Sequence, residues 1–165
     1  MSELGPNLAL LLVRELQTFE RELDLFAEEA AIWTAAPPLC NSAANLALHV
    51  AGNLQYFVGA VLGGTGYVRD RDREFARRSG PRADVQAELQ AAMRAVMETL
   101  PGLPEERFAR EYPEPVNGVR MRTDRFLMHL CVHAGYHLGQ AASVRRVVTG
   151  ENRSSGPVPL AALGS

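Results

Sequence analysis

The 165-residue chain has no lysine, and all seventeen of its basic residues are arginine. The plain reading is a compositional bias of the source genome, with thermal adaptation the weaker alternative, since arginine enrichment is not a general thermophile signal. A net charge of −2 gives no reason to expect a polyanionic partner. Two cysteines, Cys40 and Cys131, are too few and too far apart for a disulfide framework or a CxxC pair. They suit a reducing compartment. The opening stretch MSELGPNLALLLVRELQTFERE has no positive n-region and no small-residue cleavage site, and Arg14 and Glu15 interrupt its apolar run. The chain is therefore expected to be cytoplasmic and soluble, with no membrane partner.

Several chemical motifs are also missing. No GxGxxG or Walker loop is present to cradle phosphates. No Glu-x-x-His occurs, which leaves a di-iron carboxylate bundle unsupported. Ala134 follows His133, so the base of an HExxH protease is absent. There is no internal repeat and no strand-rich region long enough to build a sheet.

What is present is ordinary globular composition, 47% hydrophobic and 22% charged, in a length that suits one domain. Leu8, Leu11, Leu12, Leu16, Phe19, Leu23 and Phe26 recur at helical steps and predict a first helix over about 6–28, with Pro6 in its first turn. Asn41 or Ser42 can cap a second helix that stops at Gly63-Gly64. A third, ADVQAELQAAMRAVMETL, carries Val85, Leu89, Met93, Val96, Met97 and Leu100 on one stripe and ends at Pro101-Gly102. Asn117-Gly118, between Val116 and Val119, can form a tight turn between short extended pieces. Thr123 can cap a fourth helix running to Gly150, a good C-terminal stop.

The expected fold is all-α, a four-helix bundle. Residues 1–150 form the single domain and 151–165 an irregular tail. The arginine-rich connection of about twenty residues between the second and third helices is long for a hairpin and suits a crossover that leaves them parallel. From Arg69 to Arg82 it sets six arginines against Asp70, Asp72 and Glu74, which reads as a solvated, salt-bridged loop rather than a nucleic-acid surface.

The chemistry concentrates in HLCVHAGYHLGQ. Each helical residue advances about 100°, so His129, His133 and His137 project from one face on consecutive turns, and Gln140 returns to it. Cys131 points away. Histidines at this spacing can share a metal ion, but one helix does not close a site. The remaining histidine, His49, lies among Leu46, Val50, Asn53, Leu54 and Phe57 on the apolar side of the second helix. Facing helices of a bundle build metal sites in this way, whereas a lone histidine on an apolar face is more often a packed core residue. No carboxylate stands near the histidine face in sequence to act as a general base.

HLCVHAGYHLGQAASVRRVVTG resembles the last helix of the DinB/YfiT-like superfamily, which shows H-x-x-x-H-G/A-x-Y-H-R/L-G-Q. NLALHVAGNLQYF is similar to that family's second-helix segment, and RDRDREFA to the connection of one branch. The resemblance implies an up-down-down-up bundle and a divalent metal, often zinc or nickel, held by His49, His133 and His137. It makes His129 pocket lining or a support for the ligands, together with Gln140, Asn53 and Tyr136. Leu138 departs from the arginine that many relatives carry there, so any substrate contact of that arginine is lost.

Relatives with known activities include metal-dependent thiol transferases, and the family often forms homodimers. Three neutral imidazoles leave a divalent ion's charge uncompensated, which favours an anion in the open position. With Cys131 turned away and Cys40 in a Pro-rich loop, thiol chemistry would need an external low-molecular-weight thiol. The expected function is thus a metal-dependent transferase that activates such a thiol for attack on a small-molecule substrate. A hydrolase using metal-activated water, or a non-catalytic metal-binding stress-response protein, are the alternatives.

Overall fold

A computed structural model describes residues 3–163. The ends of the expected domain and tail, residues 1–2 and 164–165, lie outside the described residues. The fold is all-α, with no named strand among those residues. Six α-helices follow one another: α1 (Leu4–Asp24), α2 (Ala43–Leu54), α3 (Arg71–Ala76), α4 (Arg82–Thr99), α5 (Glu105–Ala109) and α6 (Thr123–Thr149). A π-helical turn, Gln55–Ala60, extends α2, and short 3-10 turns lie at Glu29–Trp33 and Leu160–Leu163.

The termini of these helices follow from local chemistry. Ser42 caps α2, its hydroxyl accepting from the Asn45 amide at 3.1 Å. Gly150 closes α6 in the left-handed conformation, at φ 70°. Thr123 is the first residue of α6 rather than its cap; Arg122 holds the cap position without a side-chain bond. The first helix stops at Asp24, four residues early, because the chain turns there to bury Phe26, Ile32 and Trp33. Asn117 and Gly118 both take positive φ, and Val116 and Val119 exchange backbone bonds of 2.9 and 3.0 Å across them. That is the tight turn which Asn-Gly favours.

Packing follows the apolar stripes. α1 and α2 each lie against both α4 and α6 and touch one another less. From α1, Leu8, Leu12, Leu16, Phe19 and Leu23 are buried; from α4, Val85, Leu89, Val96 and Leu100. Met97 of the expected stripe is instead 46% exposed. Along α1, Asp24 and Glu20 receive the side-chain amides of Gln86 and Gln90. Along α6, Phe126 packs on Phe57 beyond the end of α2, while His133 and His137 face His49.

The connection between α2 and α4 is more structured than a solvated loop. Asp70 caps α3 by accepting from the Arg73 amide, and Glu74 is buried against α2. The C-terminal tail also packs. Arg145 of α6, fully buried, donates from Nε to Glu22 of α1 at 2.6 Å and from its other nitrogens to the carbonyls of Glu151 and Arg153. Ser155 donates to the second Glu22 oxygen, and Val158 is buried between Arg14 and Thr18.

A buried ion pair is most costly when one partner is removed, since the other charge is left without compensation. Arg145→Ala is therefore expected to lower unfolding stability by about 3–5 kcal/mol, read from urea denaturation, and to make residues 151–163 more sensitive to protease. Glu22→Gln, which keeps an acceptor, should cost less.

Candidate metal centre

α2 and α6 bring three imidazoles to one point. His49 Nε2 lies 3.3 Å from His133 Nε2, and His137 Nε2 lies 3.2 Å from the same atom. One ligand nitrogen from each residue falls within 4.8 Å of the others. The i, i+4 spacing of His133 and His137 supplies two donors from consecutive turns of α6. His49 enters from the buried face of α2. It is itself buried, whereas His133 and His137 are partly open to solvent.

The outer nitrogens decide which ring nitrogen bears the proton. His137 Nδ1 lies 2.7 Å from Gln140 Oε1, a carbonyl oxygen that can only accept. His49 Nδ1 lies 3.0 Å from Glu74 Oε2, a carboxylate oxygen. An acceptor behind each ring favours a hydrogen on Nδ1 and an Nε2 lone pair turned inward, while at His49 the Arg69 Nη2 also lies 3.1 Å from Nδ1. Two Nε2 atoms within 3.3 Å of a third imidazole nitrogen give three nitrogen donors in one place, and in metal-free protein a His133 Nε2–H can serve one of them.

The spacing fits a metal. Tetrahedral zinc with bonds of about 2.0–2.1 Å to imidazole nitrogen places neighbouring donors about 3.3–3.4 Å apart. Two of the three separations, 3.3 and 3.2 Å, lie close to that value, and the third is within 4.8 Å. All-nitrogen ligation suits zinc, nickel or a related transition ion and does not suit magnesium or calcium, which take oxygen.

Electrostatics agree. Burial, then the neighbouring His137 and His49, push the His133 imidazole down to about 3. His137 is also lowered, by burial and by His49, against the opposing pull of its bond to Gln140. Burial raises Glu74, but hydrogen bonds from His49 and Arg69 outweigh it and hold the carboxyl below its ordinary range. Imidazoles that resist protonation remain available as ligands.

The other expected residues take varied positions. His129 is exposed, its ring 6.0 Å from His133 and stacked on Phe126 at 6.2 Å. Asn53, one turn beyond His49, is buried, and its Oδ1 has no hydrogen-bond partner. Tyr136 is 62% exposed; its hydroxyl accepts from Gln140 Nε2 at 3.1 Å, and its ring meets His137 edge-on. Gln140 therefore links Tyr136 to His137. Cys131 stands away from the cluster, its thiol pushed up to about 11 by burial and by Glu15.

No carboxylate stands near the histidines in sequence, but the fold brings Glu74 to them. It is remote from them in sequence, and α3 folds it back onto His49. Arg69 holds it with two bonds, Nε to Oε1 at 2.7 Å and Nη2 to Oε2 at 2.8 Å. Gly52 is the residue in α2 that makes room for it, although nothing in the sequence connects that glycine to Glu74. A Cβ there would fall well inside contact distance of Glu74 Oε1.

A family model described as the DinB superfamily matches residues 11–141, which include all three histidines. Among curated proteins and among solved structures, nothing matches the chain significantly.

The lowered imidazoles have a consequence for metal-free protein. The unfolded chain binds protons at His133 and His137 that the folded chain refuses, so stability rises with pH across that window. It is present above the ordinary histidine value of 6.5 and is lost as pH falls toward about 3. Thermal unfolding of metal-free protein should show this slope, and His133→Gln should flatten it.

Proposed function

The chain belongs to the DinB superfamily, and from that premise we propose that it is a metal-dependent transferase that activates a low-molecular-weight thiol. The observation that carries the reading is the convergence of Nε2 atoms from His49, His133 and His137. Those three side chains would hold a divalent ion, zinc or nickel by donor type. When bound, such an ion supplies Lewis acidity that lowers the pKa of a coordinated thiol or water.

The protein's own residues favour an external thiol. Cys131 is half-buried with a raised pKa, and it lies away from the histidines. Cys40 is exposed in the segment between Trp33 and α2. Neither can attack at the cluster. His133 and His137 leave one side of the site open, beside exposed His129 and Tyr136, and a small molecule can enter there.

Hydrolysis is the weaker reading because it asks for a general base. Glu74, the buried carboxylate at the cluster, is already bonded to His49 and Arg69. A non-catalytic metal-binding role remains the contrasting class and is separated by experiment.

The same reading takes the fold as a four-helix bundle in up-down-down-up order, with a crossover between α2 and α4. Gln55 bonding Glu88 and Gly59 facing Ala95 support parallel neighbours there. It also takes the protein as a cytoplasmic homodimer. Exposed Met128 and Val132 on one side of α6 support an interface, and no helix among the described residues is long and apolar enough to cross a membrane.

Purified protein should contain about one divalent ion per chain, and His49→Ala should lose it, as read by elemental analysis. Incubation with a bacterial thiol and a model electrophile should give a conjugate by mass spectrometry only when metal is present. Ester or amide turnover without thiol would favour hydrolysis. Metal loading with neither activity would favour the non-catalytic role.

A further inference from the structure

His49 is held from behind more firmly than the other two imidazoles. Its Nδ1 meets a carboxylate, whereas His137 meets only the amide of Gln140. Glu74 is not a loose surface acid that happens to reach it, for several independent contacts place it. Asn45 on α2 donates from Nδ2 to the backbone carbonyls of Glu74 and Arg77, each at 2.9 Å, and so fixes the C-terminal end of α3. The Phe75 ring lies 4.7 Å from the His49 ring. Gly52 leaves the space that Glu74 Oε1 occupies. Arg69 then grips both carboxylate oxygens, which sets the plane of the carboxylate as well as its location.

This arrangement has a chemical consequence. A neutral imidazole exchanges its proton between two nitrogens, and only the form protonated at Nδ1 has a lone pair at Nε2. Glu74 Oε2, 3.0 Å from Nδ1, accepts from that form; Arg69 Nη2 also lies 3.1 Å from Nδ1, but it is bonded at 2.8 Å to the same carboxylate oxygen. A carboxylate behind a ligating histidine also raises the ring's donor strength and fixes its orientation.

We propose that Arg69, Glu74 and the notch at Gly52 form a positioning relay that presets His49 as the Nδ1–H tautomer, with Nε2 aimed at His133 and His137. Arg69 and Glu74 are positioning residues that act through His49. The inference rests on reading the three histidines as a metal site. It goes beyond that reading by assigning a task to the crossover: the segment from Arg69 to Arg77 is the support that completes the site.

The test has two arms on full-length protein. In metal-free, nitrogen-15-labelled protein, long-range proton–nitrogen correlation reads the His49 tautomer directly. Wild type should show the Nδ1–H form alone, and Glu74→Ala should shift His49 toward the Nε2–H form. In the second arm, zinc is titrated against a chromophoric chelator. Glu74→Ala should weaken zinc binding about 10–100-fold, and Gly52→Ala, which displaces the carboxylate without deleting it, should act in the same direction. Glu74→Gln keeps shape and an acceptor, so it should recover part of the affinity and serves if the alanine variant folds poorly. Circular dichroism should show equal helix content throughout.

A wild-type His49 in the Nε2–H form, or variants that bind zinc as tightly as wild type, would overturn the relay. Failure of the wild type to bind zinc at all would instead overturn the metal reading on which the relay rests.

Discussion

Three imidazole nitrogens held within 4.8 Å of one another are the constraint on which the rest of the structure depends. Burial first, and then the neighbouring imidazoles, push His133 at the centre of the group down to about 3. Without metal, the arrangement therefore costs stability as the medium becomes acidic. The all-α fold maintains it through the packing of α2 on α6 and through the apolar core that surrounds both. The cost at low pH and the capacity to bind a divalent ion have one physical origin.

The site is asymmetric. Its α2 side is dry and braced: His49, Glu74 and Arg69 are all buried or nearly so, and Phe75 covers the ring. Its α6 side is open, with His133 and His137 partly exposed and Tyr136 standing in solvent. One wall fixes geometry and the other admits a ligand. That division suits a centre with three protein ligands and an exchangeable position rather than a closed structural site. The π-helical turn at Gln55–Ala60 shifts the helical register just beyond this region and seats Phe57 against Phe126, which closes the end of the cluster farthest from Gln140.

Much of this was legible in the sequence because periodicity and punctuation are local. Ser42, Gly150 and the Asn117-Gly118 turn act through neighbouring atoms, and each performs the task its chemistry suggests. The common face of His133 and His137 follows from helical geometry alone. His49 needed more, since only tertiary packing could show that its helix faces α6. Glu74 and Arg69 were not legible. RDRDREF has the composition of a solvated charge run, and what buries Glu74 is a long-range fit to Gly52 and Asn45. His129 shares its face with the other two histidines in projection, yet it is exposed and stacks on Phe126 outside the group of three nitrogens. Equal spacing along a helix does not imply equal burial.

The central claim is that two helices present three nitrogen donors and one open position. X-ray absorption at the zinc edge of reconstituted protein tests that claim most directly. It should show three histidine nitrogens at about 2.0–2.1 Å with one further light-atom ligand, and that fourth ligand should become sulfur when a thiol is added. A sulfur ligand before any thiol is added, or a shell of oxygens with fewer than three imidazoles, would contradict it.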